Sequence, residues 1–157
     1  MSMTIDVLNP QKPKRIAIVA SNPSVSKRTG WPIGFWWSEL THPYWEFVER
    51  GYQVEIFSPD GGKLEPDNWS DPRDESKYSA DDLISLGFLH SPAHISLVEN
   101  SKPISQLKLT DFDAILFVGG QAPMYTYYND DRVHELAASS YRAGSQRRSS
   151  ATPLVSC

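Results

Sequence analysis

Apolar residues in this chain gather into short runs and spaced stripes, with turn-rich polar stretches between them. Residues 15–20, RIAIVA, are an apolar run that predicts a first central strand. The run exits into Ser21, Asn22, Pro23 and Ser24, and a long irregular loop follows through Lys27, Arg28, Thr29, Gly30 and Pro32. Residues 35–50, FWWSELTHPYWEFVER, open with aromatics and then set Leu40, Tyr44, Phe47 and Val48 at helical spacing. Pro43 is awkward in a helix interior, so the regular helix is predicted to start near it, where a first-turn proline is tolerated. Gly51 supplies a stop, and residues 52–58, YQVEIFS, alternate as a second strand that ends at Pro59, Asp60, Gly61 and Gly62. Strand, helix and strand in that order make a βαβ unit.

Residues 63–77 are polar, carry Pro66 and Pro72, and read as a surface excursion. Ser79 is predicted to cap a helix whose dipole Asp81 and Asp82 complement, with Leu83, Leu86 and Phe88 turned inward. Residues 93–98, AHISLV, alternate like a strand yet lie between helix-compatible flanks, so the pattern leaves strand and helix open. Asn129, Asp130 and Asp131 predict another helix cap, followed by an apolar face of Val133, Leu136, Ala137 and Tyr141 and a stop at Gly144. Residues 1–14 read as a flexible arm, residues 15–144 as one α/β domain, and residues 145–157 as a divergent tail rich in serine and arginine. Within that tail only Pro153, Leu154 and Val155 could start a strand.

The pattern is sharpest at residues 111–120. A charged turn at Asp111 and Asp113 feeds Ala114, Ile115, Leu116, Phe117 and Val118, and the run breaks at once into Gly119 and Gly120. An unbroken apolar run of this length predicts a strand buried on both faces. Adjacent glycines at its carboxyl end permit positive φ and leave backbone N–H groups uncovered, so an anion or a polarised carbonyl can approach them. The plainer reading, a sharp strand-to-loop exit, explains the same dipeptide.

Composition narrows the function classes. A chain of 157 residues supports one core. Its net charge of -4 argues against a nucleic-acid partner, and the basic cluster at Arg147 and Arg148 is short. No segment reaches the roughly 18 apolar residues needed to span a bilayer, and the start lacks the apolar centre of a signal peptide, so a cytoplasmic protein with no membrane partner is expected. The single cysteine, Cys157, rules out a disulfide framework or a thiolate metal cluster. No repeat or dinucleotide-binding glycine motif is present, and no cofactor is expected.

With these residues placed, several of them together resemble the ThiJ/PfpI superfamily of class I glutamine amidotransferase-like proteins, closest to its stress-response chaperone and glyoxalase III-like branch. The matching pieces are RIAIVAS, TGWPIGFWWSELTHPYWEFVERGYQVEIFSPDGG, LVENSKPISQL, and DFDAILFVGGQAPMYTYYNDD with the helix to YRAG. The resemblance implies a flavodoxin-like, doubly wound, mostly parallel sheet, incomplete at the C-terminus. It also implies a helix at residues 93–99.

The resemblance assigns roles to a few residues. Glu39 falls where the family has a glutamate that reaches a nucleophilic cysteine, and a carboxyl there can share a proton with the sulfur. Gly119 and Gly120 match paired glycines whose amides stabilise an oxyanion. His42, in the same motif as Glu39, reads as helix-start packing or a hydrogen bond to nearby backbone, with a site role as the lesser alternative. Met124 and Tyr125 are expected to line the pocket, and Trp36 and Trp37 to form its wall and the core.

The chain departs from the family at one place. The nucleophile elbow, a cysteine followed by histidine and glycine, would fall a few residues beyond Gly144, where this sequence has Ser149, Ser150 and Ala151. Cys157 has no histidine after it and is a poor substitute. Truncation, a frameshift, a retained intron or an engineered end would each produce such a break, and loss of the family's final strands would leave the central strand near an open, self-associating edge. The expected parent is a cofactor-independent enzyme taking methylglyoxal to lactate, and this chain is expected to be inactive. The alternatives are a holding chaperone that offers the aromatic loop at residues 31–37 to unfolded-protein clients, and an amidase, peptidase or amidotransferase-like hydrolase. Substrates would be a small aldehyde or amide, and the resemblance admits a homodimer.

Overall fold

The computed structural model describes residues 14–143 and, as backbone, the strand Gln146–Ser149. The arm at residues 1–13, the stop at Gly144, residues 153–155 and Cys157 lie outside the described residues. Strand β1 (Arg15–Val19) is followed by a short antiparallel pair, β2 (Ser24–Val25) and β3 (Pro32–Ile33). Helix α1 (Trp37–Glu49) leads to β4 (Gln53–Ser58), and α2 (Leu83–Leu89) and α3 (Pro92–Glu99) precede the short β5 (Lys102–Pro103). Then come β6 (Ala114–Phe117), α4 (Gln121–Thr126), α5 (Asp131–Arg142) and β7 (Gln146–Ser149).

The five strands of the main sheet stand in the order β5-β4-β1-β6-β7, and every neighbouring pair is parallel. Alternation along β1 sorts its side chains to two cores. Ile16 and Ile18 join Leu40, Tyr44, Phe88 and Val98 on the face covered by α1, α2 and α3. Ala17 and Val19 join Phe57, Ile115 and Val133 on the face covered by α5. A parallel sheet with both faces covered is the doubly wound arrangement that the apolar runs predict.

Several local expectations are corrected. Helix α1 begins at Trp37 and carries Pro43 in its interior, because Trp37, Leu40, Thr41 and Tyr44 are all buried and the tertiary gain outweighs the lost hydrogen bond. The cap of α2 is Asp82, whose side chain accepts from the Ser85 amide, and Leu83 is exposed while Phe88 and Leu89 are buried. Tyr141 is likewise exposed, with Ser140 taking the buried position on α5. The ambiguous segment at residues 93–98 is helical, as the resemblance implied, with Pro92 in its first turn.

Strand β7 falls on the polar residues Gln146–Ser149, where the sequence pattern predicts no strand. Pairing with the outer edge of β6 asks only for backbone donors and acceptors, so side-chain pattern is a poor guide there. The central strand is therefore flanked on both sides among the described residues. Nor is the stretch at residues 63–77 a simple excursion, because Leu64, Asp67 and Ser70 are buried.

Candidate functional site

The chain leaves β1 toward β4 on one side and returns to β6 on the other. The connections at the carboxyl ends of β1 and β6 therefore part, which is where open α/β sheets form their crevice. Ladder pairing persists one step past β6, with the Val118 amide on the Val19 carbonyl at 2.9 Å. Gly119 and Gly120 then turn the chain into α4.

Gly120 has φ 128°, and a β-carbon there would stand 2.6 Å from the Gly34 carbonyl oxygen and 2.8 Å from Phe35 backbone atoms. Both conformation and space thus require glycine. The approach of residues 34–36 brings the next contacts. The Trp36 amide donates to the Gly119 carbonyl at 3.0 Å, and the Ala122 amide to the Gly34 carbonyl at 3.0 Å. From the first turn of α1, Glu39 Oε2 accepts from the Gly119 amide at 2.8 Å. Two residues singled out from the sequence are therefore in direct contact. The Gly119 N–H is already committed to a carboxylate in this geometry, so a developing oxyanion would compete with Glu39 for it.

The other sequence candidates lie differently. His42 is half-exposed and its Nε2 sits 2.8 Å from Asp82 Oδ1, so it ties α1 to the cap of α2 and not to nearby backbone. Beneath that pair, Thr41 and Ser85 share a buried hydrogen bond of 2.7 Å. Burial alone would raise the Asp82 carboxyl, but hydrogen bonds from the Ser85 side chain and amide and from His42 hold it below the ordinary aspartate range. Met124 and Tyr125 lie on α4 with much of each side chain exposed. Trp37 is core, edge-on to Phe35 with ring centroids 4.9 Å apart, while Trp36 is half-buried.

Sequence reasoning missed Asp67. It is 2% exposed, and its two carboxylate oxygens accept separately from the Gly34 amide at 2.9 Å and the Gln121 amide at 2.7 Å. Burial pushes this carboxyl above the ordinary range, and the two amides offset that only in part. Nothing in the local pattern distinguishes Asp67 from the exposed acids near it. A second missed feature is an aromatic array beside the site: Tyr78 stacks on Trp69 at 6.0 Å and meets Trp36 edge-on at 6.1 Å.

Among the described residues no cluster of His, Cys, Asp and Glu could hold a metal ion, and no helix is long and apolar enough to cross a membrane.

The fold is the flavodoxin-like one of ThiJ/PfpI domain structures. The chain is similar to the Rapid Encystment Protein of Francisella tularensis, at 24% identity and a TM-score of 0.74, covering 87% of this chain and 57% of that one. It is similar to glyoxalase III from Candida albicans at 19% identity and a TM-score of 0.68, and to a ThiJ/PfpI domain protein from Brachyspira murdochii at 18% and 0.57. The chain thus spans less than three-fifths of the length of each, 57%, 56% and 58% in turn. By sequence, no family model and no curated protein matches it.

Proposed function

We propose that this chain belongs to the ThiJ/PfpI superfamily and supplies the acid–base and amide half of a cofactor-independent carbonyl-transforming site of the glyoxalase III type. The observation that carries the reading is the Glu39 carboxylate on the Gly119 amide at the switch point of the sheet. In the parent reaction a thiol adds to the aldehyde carbon of methylglyoxal, and a proton then moves from that carbon to its neighbour. Water finally releases lactate. In this reading Glu39 carries the proton, and the Gly119 and Gly120 amides hold the oxygen as its charge develops, the Gly119 amide leaving Glu39 to do so. The thiol is what this chain does not offer at the expected place, where Ser149, Ser150 and Ala151 stand.

The purified 157-residue protein is accordingly expected to leave methylglyoxal unchanged. A frame encoding Cys-His-Gly just past the codon for Gly144, read by sequencing the transcript, would strengthen the reading for the parent. Turnover by the unmodified chain that survives Glu39→Gln would overturn the reading.

A second reading has its own support. Trp69 is 50% and Tyr78 70% exposed, a surface suited to holding unfolded clients. It differs from the aromatic loop expected from sequence, since Ile33, Phe35 and Trp37 are buried and Trp31 is the ring of that loop that is largely exposed. Suppression of client aggregation that survives Glu39→Gln and is lost on Trp69→Ala would favour it.

A further inference from the structure

Three separate backbone segments meet at the candidate site: residues 34–36 ahead of α1, the turn at Gly119 and Gly120, and the stretch at residues 65–67. Two backbone bonds, Trp36 to Gly119 and Ala122 to Gly34, link the first pair directly, and a single buried side chain ties all three together. Asp67 Oδ1 takes the Gly34 amide and Oδ2 takes the Gln121 amide, so one carboxylate spans the segments on either side of the glycine turn. The Asp67 backbone closes the arrangement, its amide donating to the Phe35 carbonyl at 2.7 Å, while the Phe35 amide donates to the Glu65 carbonyl at 3.3 Å. Gly34 is pressed so close that a β-carbon would stand 1.8 Å from the Glu65 oxygen.

We propose that Asp67 is the positioning residue of this site: by holding the Gly34 and Gln121 amides it fixes the register between the start of α1 and the glycine turn, and thereby seats Glu39 on the Gly119 amide. The functional meaning rests on the reading of Glu39 and Gly119 given above, while the geometric claim does not.

A buried carboxylate is expensive to desolvate, and a hydrophobic or neutral residue would serve a merely space-filling role better. Two N–H donors at separate oxygens return part of that cost, and they require two acceptor oxygens on one rigid group, which only a carboxylate provides. Asparagine would present an NH2 group to one of the two amides. The stretch that carries Asp67 has a second contact with the segment that leads into Glu39, through Tyr78, which meets Trp36 edge-on and stacks on Trp69.

The test needs no turnover and so separates this proposal from the function reading. Scalar coupling across the hydrogen bond between the Gly119 amide nitrogen and the Glu39 carboxyl carbon is measured by NMR in the wild-type chain and in three variants. Asp67→Asn disturbs the strap at its centre. Gln121→Pro removes one donor and sets a ring carbon against Asp67 Oδ2, so it breaks the strap from the α4 side and serves if Asp67→Asn does not fold. Ser101→Ala breaks the buried Ser58–Ser101 hydrogen bond on the far strand pair and controls for general destabilisation. The coupling is expected in wild type and Ser101→Ala and lost in the two strap variants, with Gly34 amide exchange in Asp67→Asn faster by about tenfold or more relative to the control. Persistence of the coupling in a folded Asp67→Asn or Gln121→Pro protein, or its equal loss in Ser101→Ala, would overturn the proposal.

Discussion

Glu39 and Gly119 are 80 positions apart in sequence and 2.8 Å apart in space, joined by an amide donating to a carboxylate oxygen. The bond crosses the crevice between α1 and the end of β6, so it couples the first helix of the fold to the turn that follows its central strands. A hydrogen bond to a charged acceptor contributes about 1.5–3 kcal/mol, and more is lost when a buried donor is left unmet. Glu39→Ala is therefore expected to lower unfolding stability by about 1.5–3 kcal/mol in urea titration, whereas Glu39→Gln, which keeps a carbonyl acceptor, should cost less than about 1 kcal/mol. A Glu39→Ala protein as stable as wild type would show that the contact carries no stability.

Gly120→Ala places a β-carbon against Gly34 and Phe35 backbone while forcing a rare positive φ on alanine. Strain and overpacking each cost about 1–3 kcal/mol, so a loss of about 2–4 kcal/mol is expected, with the Glu39 contact disturbed as well. Gly87→Ala is the control, since nothing lies within 4 Å of a β-carbon there. In an α2 position that substitution should be neutral or stabilising by up to about 1 kcal/mol. Thermal melts of the pair decide between local space and general glycine effects.

The pH dependence of stability has opposite signs at two aspartates. Asp82 is held below the ordinary range in the fold, so its contribution is present above the unfolded value and is lost as pH falls through the folded one. Removing the cap with Asp82→Ala should cost about 1 kcal/mol near neutrality, and the difference from wild type should shrink in acid. Asp67 is raised by burial, so its contribution is fully present below the unfolded value and declines as pH rises through the folded one. Denaturant midpoints of Asp82→Ala, Asp67→Asn and wild type across the acid range test the two signs together.

Phe57 anchors the second core, fully buried and edge-on to Phe112 at 5.5 Å. Phe57→Ala is expected to cost about 3–5 kcal/mol, enough to expose the face beneath α5 and raise amide exchange in α5 before α1. Uniform exchange across both faces would mean that the two cores melt as one unit.

Apolar runs determined the strands at Arg15–Val19, Gln53–Ser58 and Ala114–Phe117, and with them the doubly wound sheet, because strands buried in a parallel sheet read as apolar runs that the sequence carries openly. Motif likeness also pointed to Glu39 and to Gly119 and Gly120. Tertiary structure alone decided the rest: that Glu39 rests on the Gly119 amide, that His42 serves the cap of α2, that α1 tolerates Pro43, that a polar segment forms β7, and that Asp67 lies buried beneath the turn. In each of those cases the deciding partner lies far along the chain or is a backbone group. Neither leaves a periodic trace in the residues themselves.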